Sequence, residues 1–171
     1  VSGQWTEELV VDNATYSSGY GSSYNTALCN EAFVDSANNV HLFLYQWGFW
    51  SYGGTSWEKV RQAGPSGTWG SLVKACHIYD QAHVDDQTNG REKYVQTSTD
   101  GVVMFCIDVQ NQNYAYYASR PGEGSWQQPV VLGSTAVKSY NALATDEQDH
   151  VHAIYMDADQ QTMKYSRDWG T

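Results

Sequence analysis

At 171 residues, 41% of them hydrophobic, the chain is long enough to bury a core and too apolar to be a disordered segment. Nineteen acidic against nine basic residues give a formal charge of −10. That argues against nucleic acid and anionic membranes as partners, because both demand basic patches. No apolar run nears the ~18 residues of a membrane-spanning helix, so membrane insertion is not expected.

The chain begins Val1-Ser2-Gly3-Gln4-Trp5, with neither an initiator Met nor a signal peptide, and reads as a processed or trimmed N-terminus. Residues 4–11 predict a strand, with Trp5 leading into Leu9, Val10 and Val11. Asn13-Ala14-Thr15 is a glycosylation sequon, which fits a secreted protein. Ser23-Tyr24-Asn25-Thr26-Ala27-Leu28 predicts the next strand. It is followed by a polar turn at 35–39 and the aliphatic strand Val40-His41-Leu42-Phe43-Leu44-Tyr45. Trp47, Phe49, Trp50 and Tyr52 then crowd four aromatics into six residues. They cannot all face a core from one strand, so some are expected at an interface or ligand site. Residues 54–60 read as a strand that starts at Trp57 and closes the first module.

A long connection, 62–91, follows, and loops of that length are often functional. Within it Asp85-Asp86-Gln87-Thr88-Asn89-Gly90 alternates oxygens as a calcium loop does. Its twelfth position is Gln96 rather than Glu, so a polar turn is expected, and calcium is the one cofactor left open. Next come Tyr94, a turn at Asp100-Gly101, a strand at 102–108, a Tyr-rich strand at 114–119 and a Trp-led strand at 124–131. The chain ends with Ser139-Tyr140-Asn141-Ala142-Leu143-Ala144, a turn at 146–150, Val151-His152-Ala153-Ile154-Tyr155, and a strand at 162–166.

These pieces repeat in order. The Tyr-Asn and Val-His strands of the first module return in the last. In the middle copy Tyr94 precedes Asp100 by six residues, as Tyr140 precedes Asp146. The expected fold is all-β and β-propeller-like, with about three four-stranded antiparallel blades in a single domain over 1–171. The blades run about 22–61, 92–132 and 138–166, and the strand at 4–11 closes the last one. Propellers typically hold four to eight blades, so two chains forming a six-bladed ring is the simplest closure. An arc of a longer protein and a sandwich-like pile of hairpins remain alternatives.

The pattern of Asp, short turn, Val-His, Tyr-rich strand and Gly-x-x-Trp resembles sialidase-like (Asp-box) blades. It also resembles the six-bladed lectins of the fucose-binding type. Ser166, Asp168 and Gly170 match the start of an Asp-box, and Ser119 and Trp126 match its ends. The resemblance implies a propeller and, from the lectins, sugar sites between blades. Those lectins use an Arg on the second strand and a Glu on the third. Here His41 and His152 stand near the Arg position, and no Glu is read on the third strands.

Seven Trp and thirteen Tyr suit half-wet surfaces, such as sugar sites, as well as a β core. The candidate ligand-binding residues are Tyr24, Asn25, His41, Trp47, Trp50, Trp57, Trp126, Tyr140, Asn141, His152 and Tyr155. Aromatic faces stack on sugar rings, and amide or imidazole groups read hydroxyls. His41, His152 and the Trp residues have architectural readings too, because they repeat. Three cysteines (Cys29, Cys76, Cys106) fit either a Cys76–Cys106 bridge or free thiols, and no zinc spacing occurs. No nucleophile elbow, phosphate loop or paired catalytic carboxylate appears. The leading expectation is a secreted, dimeric lectin that binds glycans at repeated shallow sites. A glycosidase or polysaccharide lyase on the same scaffold, and a structural or adhesive oligomer, are the alternatives.

Overall fold

The structure is a computed structural model, and it describes residues 7–10, 26–47, 54–76, 93–108, 114–122, 124–127, 130–133, 137–156 and 162–167. The described residues contain strands and no helix. Three antiparallel sheets follow one another along the chain.

The first sheet is β1 (Thr26–Val34), β2 (Val40–Trp47), β3 (Gly54–Arg61) and β4 (Val73–Cys76). The second is β5 (Lys93–Gln96), β6 (Val102–Asp108), β7 (Tyr114–Arg120) and β8 (Val130–Gly133). The third is β9 (Val137–Thr145), β10 (Val151–Met156) and β11 (Met163–Arg167). Within each sheet consecutive strands are neighbours, so every connection is a hairpin.

One turn builds all three first hairpins. In the first, the Asn38 amide donates to the Asp35 carbonyl (2.9 Å) and the Asp35 amide to the Asn39 carbonyl (3.0 Å). The same pair of bonds recurs at Thr97–Gly101 and Asp146–His150. The fourth turn residue sits at positive φ each time: Asn38 (63°), Asp100 (61°) and Asp149 (62°). Asn and Asp are the side chains that best tolerate that left-handed conformation.

This register corrects two sequence readings. Thr97, not Asp100, is the counterpart of Asp35 and Asp146, so the middle copy is displaced by three residues from the expected match. The strand at 54–60 is the third of its sheet, not the fourth, because it pairs along the whole of β2 from Val40↔Arg61 to Trp47↔Gly54. The fourth strand, β4, comes later, after the turn at 62–72. Trp69 is therefore the counterpart of Trp126. The next residue in each case, Gly70 or Gln127, donates its amide to a third-strand carbonyl, that of Val60 or Ser119.

The sheets stack through their faces. Phe43 of the first is fully buried against Tyr94, Val102, Met104 and Ala118 of the second, with Phe33 and Trp126 at the margin. Its ring stacks on Tyr94 at 4.6 Å and meets Trp126 edge-on at 6.2 Å. Phe105 of the second sheet is buried in turn against Ala153 and Tyr155 of the third. Side chains alternate along a strand, so each sheet offers one face to the module before it and the other to the module after. Truncating Phe43 or Phe105 to Ala removes a seam and costs about 3–5 kcal/mol.

The turns are tied together as well. Asp100 accepts the Ser36 amide (3.0 Å) and the Ser36 hydroxyl. Asp149 accepts the Ser98 amide (2.7 Å) and the Ser98 hydroxyl. Each positive-φ Asp thus grips the second turn residue of the preceding module.

Candidate functional site

A buried polar cluster sits in the seam between the first two sheets. His41 on β2 lies between two carboxylates, with Nδ1 2.7 Å from Glu58 Oε1 and Nε2 3.1 Å from Asp35 Oδ2. Asp35 also accepts the Asn39 amide (2.7 Å) and side chain (2.8 Å). From the second sheet, Arg120 Nη2 donates to Glu58 Oε1 (2.9 Å) and Trp126 Nε1 to Glu58 Oε2 (2.9 Å). Asp35, His41, Glu58 and Arg120 are all at least 94% buried, so no solvent screens them.

The charges balance. Both ring nitrogens of His41 lie on carboxylates, which favours the imidazolium, and in that form two cations face two anions. The hydrogen bond to Glu58 raises the His41 pKa, against the opposing effect of burial. Burial pushes Glu58 and Asp35 up, but their hydrogen bonds prevail. Glu58 stays below the ordinary carboxylate value, and Asp35 falls to about 2. The cluster works as a staple between modules.

Half of that staple recurs at the first module. Arg61 grips Glu8 with Nε and Nη2, each at 2.7 Å, and Trp69 Nε1 adds a third donor at 3.2 Å. Arg61 and Trp69 stand where Arg120 and Trp126 stand in the next module. Glu8 takes the role of Glu58 but comes from residues 7–10, which lie outside any sheet. Lys59 Nζ also donates to the Val10 carbonyl (2.6 Å), fixing that segment to β3.

The third sheet carries an open version of the staple. Asp146, His152 and Tyr165 occupy the register positions of Asp35, His41 and Glu58. His152 Nε2 lies 3.0 Å from Asp146 Oδ2, and its Nδ1 lies 2.7 Å from the Tyr165 hydroxyl. Arg167 Nη2 reaches Asp146 Oδ2 (3.2 Å) and His150 Nδ1 (2.6 Å). The Asp146, His150, His152 and Arg167 side chains are 24–27% exposed, and Tyr165 is 60% exposed. Desolvation pushes Asp146 up, but hydrogen bonds from His152 and His150 hold its carboxyl well below the usual range. One patch here gathers a carboxylate, two imidazoles, a guanidinium and an exposed phenol.

Of the residues singled out in the sequence, His152 lies in this open cluster. His41 is buried with both nitrogens engaged. Trp126 is half-buried, its indole N–H bonded to Glu58. Tyr155 is 5% exposed and packs on Phe105. Trp57 is half-buried on β3. Tyr24, Asn25, Trp50 and residues 85–90 lie outside the described residues, as do the side chains of Trp47, Tyr140, Asn141 and the three cysteines. Glu58 does occupy a third strand, against the sequence expectation, because residues 54–61 form β3.

Sequence reasoning missed Asp35, Glu58, Arg120, Asp146, Tyr165 and Arg167. Two signals were present. Asp and His recur six apart as Asp35/His41 and Asp146/His152, and an Arg ends a strand shortly before a Trp in both Arg61/Trp69 and Arg120/Trp126. Among the described residues no group of three or more His, Cys, Asp or Glu is arranged to hold a metal ion. No family model matches the chain, and no curated protein matches it.

Proposed function

We propose that the chain is a secreted carbohydrate-binding protein, a lectin, whose three stacked sheets are blades of a β-propeller completed by a second copy. The carrying observation is the partly exposed cluster Asp146–His152–Tyr165 with Arg167 beside it; the register equivalents of the first three, Asp35, His41 and Glu58, are sealed in the first seam. Carboxylate and guanidinium supply an acceptor and donors for vicinal hydroxyls, and the exposed Tyr165 ring offers an apolar face beside them. Repeated display of such seams would raise avidity on polymeric glycans.

A glycan array followed by calorimetry tests this reading. The wild-type chain should bind a sugar, and Tyr165→Ala and His152→Ala should each weaken binding about tenfold or more. Absence of binding across a broad array ends the lectin reading. One observation favours a second reading, a polysaccharide lyase or glycosidase. Asp146, His152 and Tyr165 form a hydrogen-bonded chain ending on an exposed phenol, an arrangement suited to moving a proton. Release of reducing ends from polysaccharides, lost in Tyr165→Phe, would favour the enzyme.

A further inference from the structure

The face of the third sheet bearing His152, Ile154 and Tyr165 has no sheet across it among the described residues. Its register equivalents do. His41, Phe43 and Glu58 are covered by the second sheet, and Phe105 by the third. Phe43 and Phe105 are 0% exposed, whereas Ile154, which takes their place, is 43% exposed. We infer that this face binds the first sheet of a second copy of the chain, head to tail, by the contacts that already join the sheets within one chain. The inference rests on the two-copy propeller reading above and assigns its interface.

The observed contacts extend in register. The turn ladder pairs Ser36 with Asp100 and Ser98 with Asp149. Its next rung pairs Glu147, the counterpart of Ser36 and Ser98, with the second copy's Asn38, the counterpart of Asp100 and Asp149. Donor and acceptor are exchanged across this rung: the Asn amide donates and the Glu carboxylate accepts. Both side chains are exposed. One backbone-directed contact changes character. Gln96 donates to the Val34 carbonyl and Thr145 to the Gln96 carbonyl, whereas the matching residue of a second copy is Val34. Val34 is 57% exposed, so the seam gains apolar burial where it loses that bond.

The Arg–Trp grip explains the remaining difference. In the first seam Arg120 and Trp126 need the acid Glu58 across from them. The third sheet offers Tyr165 there, with no carboxylate. Arg61 and Trp69 of the incoming copy bring their own acid, Glu8, already bound. Docking by the same geometry sets that copy's Glu8 against Tyr165, so its residues 7–10 line the seam at β11. Leu9, 76% exposed, gains cover in that position. The His152–Tyr165 cluster then lies in a seam between copies, where the second copy covers it as the second sheet covers His41 and Glu58, so docking and sugar binding at that cluster are alternatives.

Light scattering without sugar tests the interface. The wild-type chain should show about twice its 19.1 kDa mass, and Ile154→Asp, with its β circular dichroism retained, should return to a single-chain mass. The double variant Asn38→Cys/Glu147→Cys should form a chain-to-chain disulfide on a non-reducing gel, and neither single variant should. A single-chain wild-type mass at all concentrations overturns the inference. So does a dimer that Ile154→Asp leaves intact and the cysteine pair fails to link. Sugar binding is scored separately on wild-type protein. A chain that binds sugar as a monomer loses the interface and keeps the lectin reading, and a dimer that binds none does the reverse.

Discussion

The indole N–H of Trp126 bonds to Glu58 Oε2 at 2.9 Å, joining two sheets through residues 68 apart in sequence. Glu58 also receives Arg120 and His41, so one carboxylate holds three groups in a dry seam. Removing one member of such a set leaves charges buried without a partner, which costs more than the set contributes when intact. Glu58→Gln should therefore destabilise the chain by about 3–5 kcal/mol. For a chain this long that lowers the melting temperature by roughly 6–20 °C. Trp126→Phe keeps the packing on Phe43 and removes one hydrogen bond to a charged group, so the loss should be nearer 2 kcal/mol. Replacing Glu58 and Arg120 together by Met and Leu should cost less than Glu58→Gln alone, because no unpaired Arg120 remains. Denaturant unfolding of the three variants checks the order.

The same cluster sets a pH window. Asp35 and Glu58 have folded pKa values below their ordinary 3.8 and 4.5, so their stabilisation is present above those values. It is lost as pH falls, for Asp35 toward about 2. His41 runs the other way. Its folded pKa is raised above 6.5, so its contribution is full below 6.5 and disappears as pH rises through the folded value. Stability should plateau between roughly 4.5 and 6.5 and decline on both sides. His41→Gln should flatten the alkaline decline and also weaken the acid one, because His41 is the first hydrogen-bond partner that lowers Asp35 and Glu58. Melting temperature against pH, at fixed ionic strength, reads both limbs. An alkaline limb unchanged in the variant would show that His41 is not its source.

The strands were legible because their signals are local. Val40-His41 and Val151-His152 stand out by alternation and by the turn residues before them. The staple was not legible, since periodicity tells which face a residue takes and not what lies across it. Glu58 and Arg120 meet across 62 positions, and no local pattern pairs them. The misplaced strand at 54–60 has a concrete cause. Ser56-Trp57-Glu58 looks like Ser125-Trp126-Gln127, while the true counterpart is Trp69, within the turn after β3. The slip in the middle copy is similar. Asp100 is an Asp in the right neighbourhood, but it is the positive-φ residue of its turn and not the first.

Gly67 controls the turn that presents Trp69. Its amide donates to the Gly64 carbonyl (3.1 Å), and a Cβ there would sit 1.9 Å from the Gln62 carbonyl oxygen and 2.9 Å from Arg61 Nη1. Backbone cannot yield that far without opening the turn. Gly67→Ala should therefore cost about 2 kcal/mol or more and loosen the grip of Arg61 and Trp69 on Glu8. Trp fluorescence together with denaturant unfolding checks both effects. Gly64→Ala is the informative contrast. Its Cβ meets nothing within 4 Å, and only its φ of 89° opposes the change, so the loss should come from backbone strain alone.

The turn ladder separates conformation from hydrogen bonding. Asp149 must hold a φ of 62° and also accept the Ser98 amide and hydroxyl. The Ser98 bonds hold its carboxyl below the ordinary value. Asp149→Gly keeps the backbone conformation at no steric cost and removes both bonds. Asp149→Ala removes both bonds and adds strain at positive φ. Both variants should lose stability, and Asp149→Ala should lose more than Asp149→Gly. Among the described residues Asn38 accepts no such pair of bonds, so Asn38→Gly should change the stability of an isolated chain by only a few tenths of a kcal/mol. In the two-copy assembly Asn38 faces Glu147 across the seam, and Asn38→Gly should there weaken association without weakening the fold. Unfolding and light scattering on the same samples distinguish the two. Equal loss of stability for Asn38→Gly and Asp149→Gly in a monomeric preparation would mean that the ladder bonds contribute nothing, and the shared turn conformation everything.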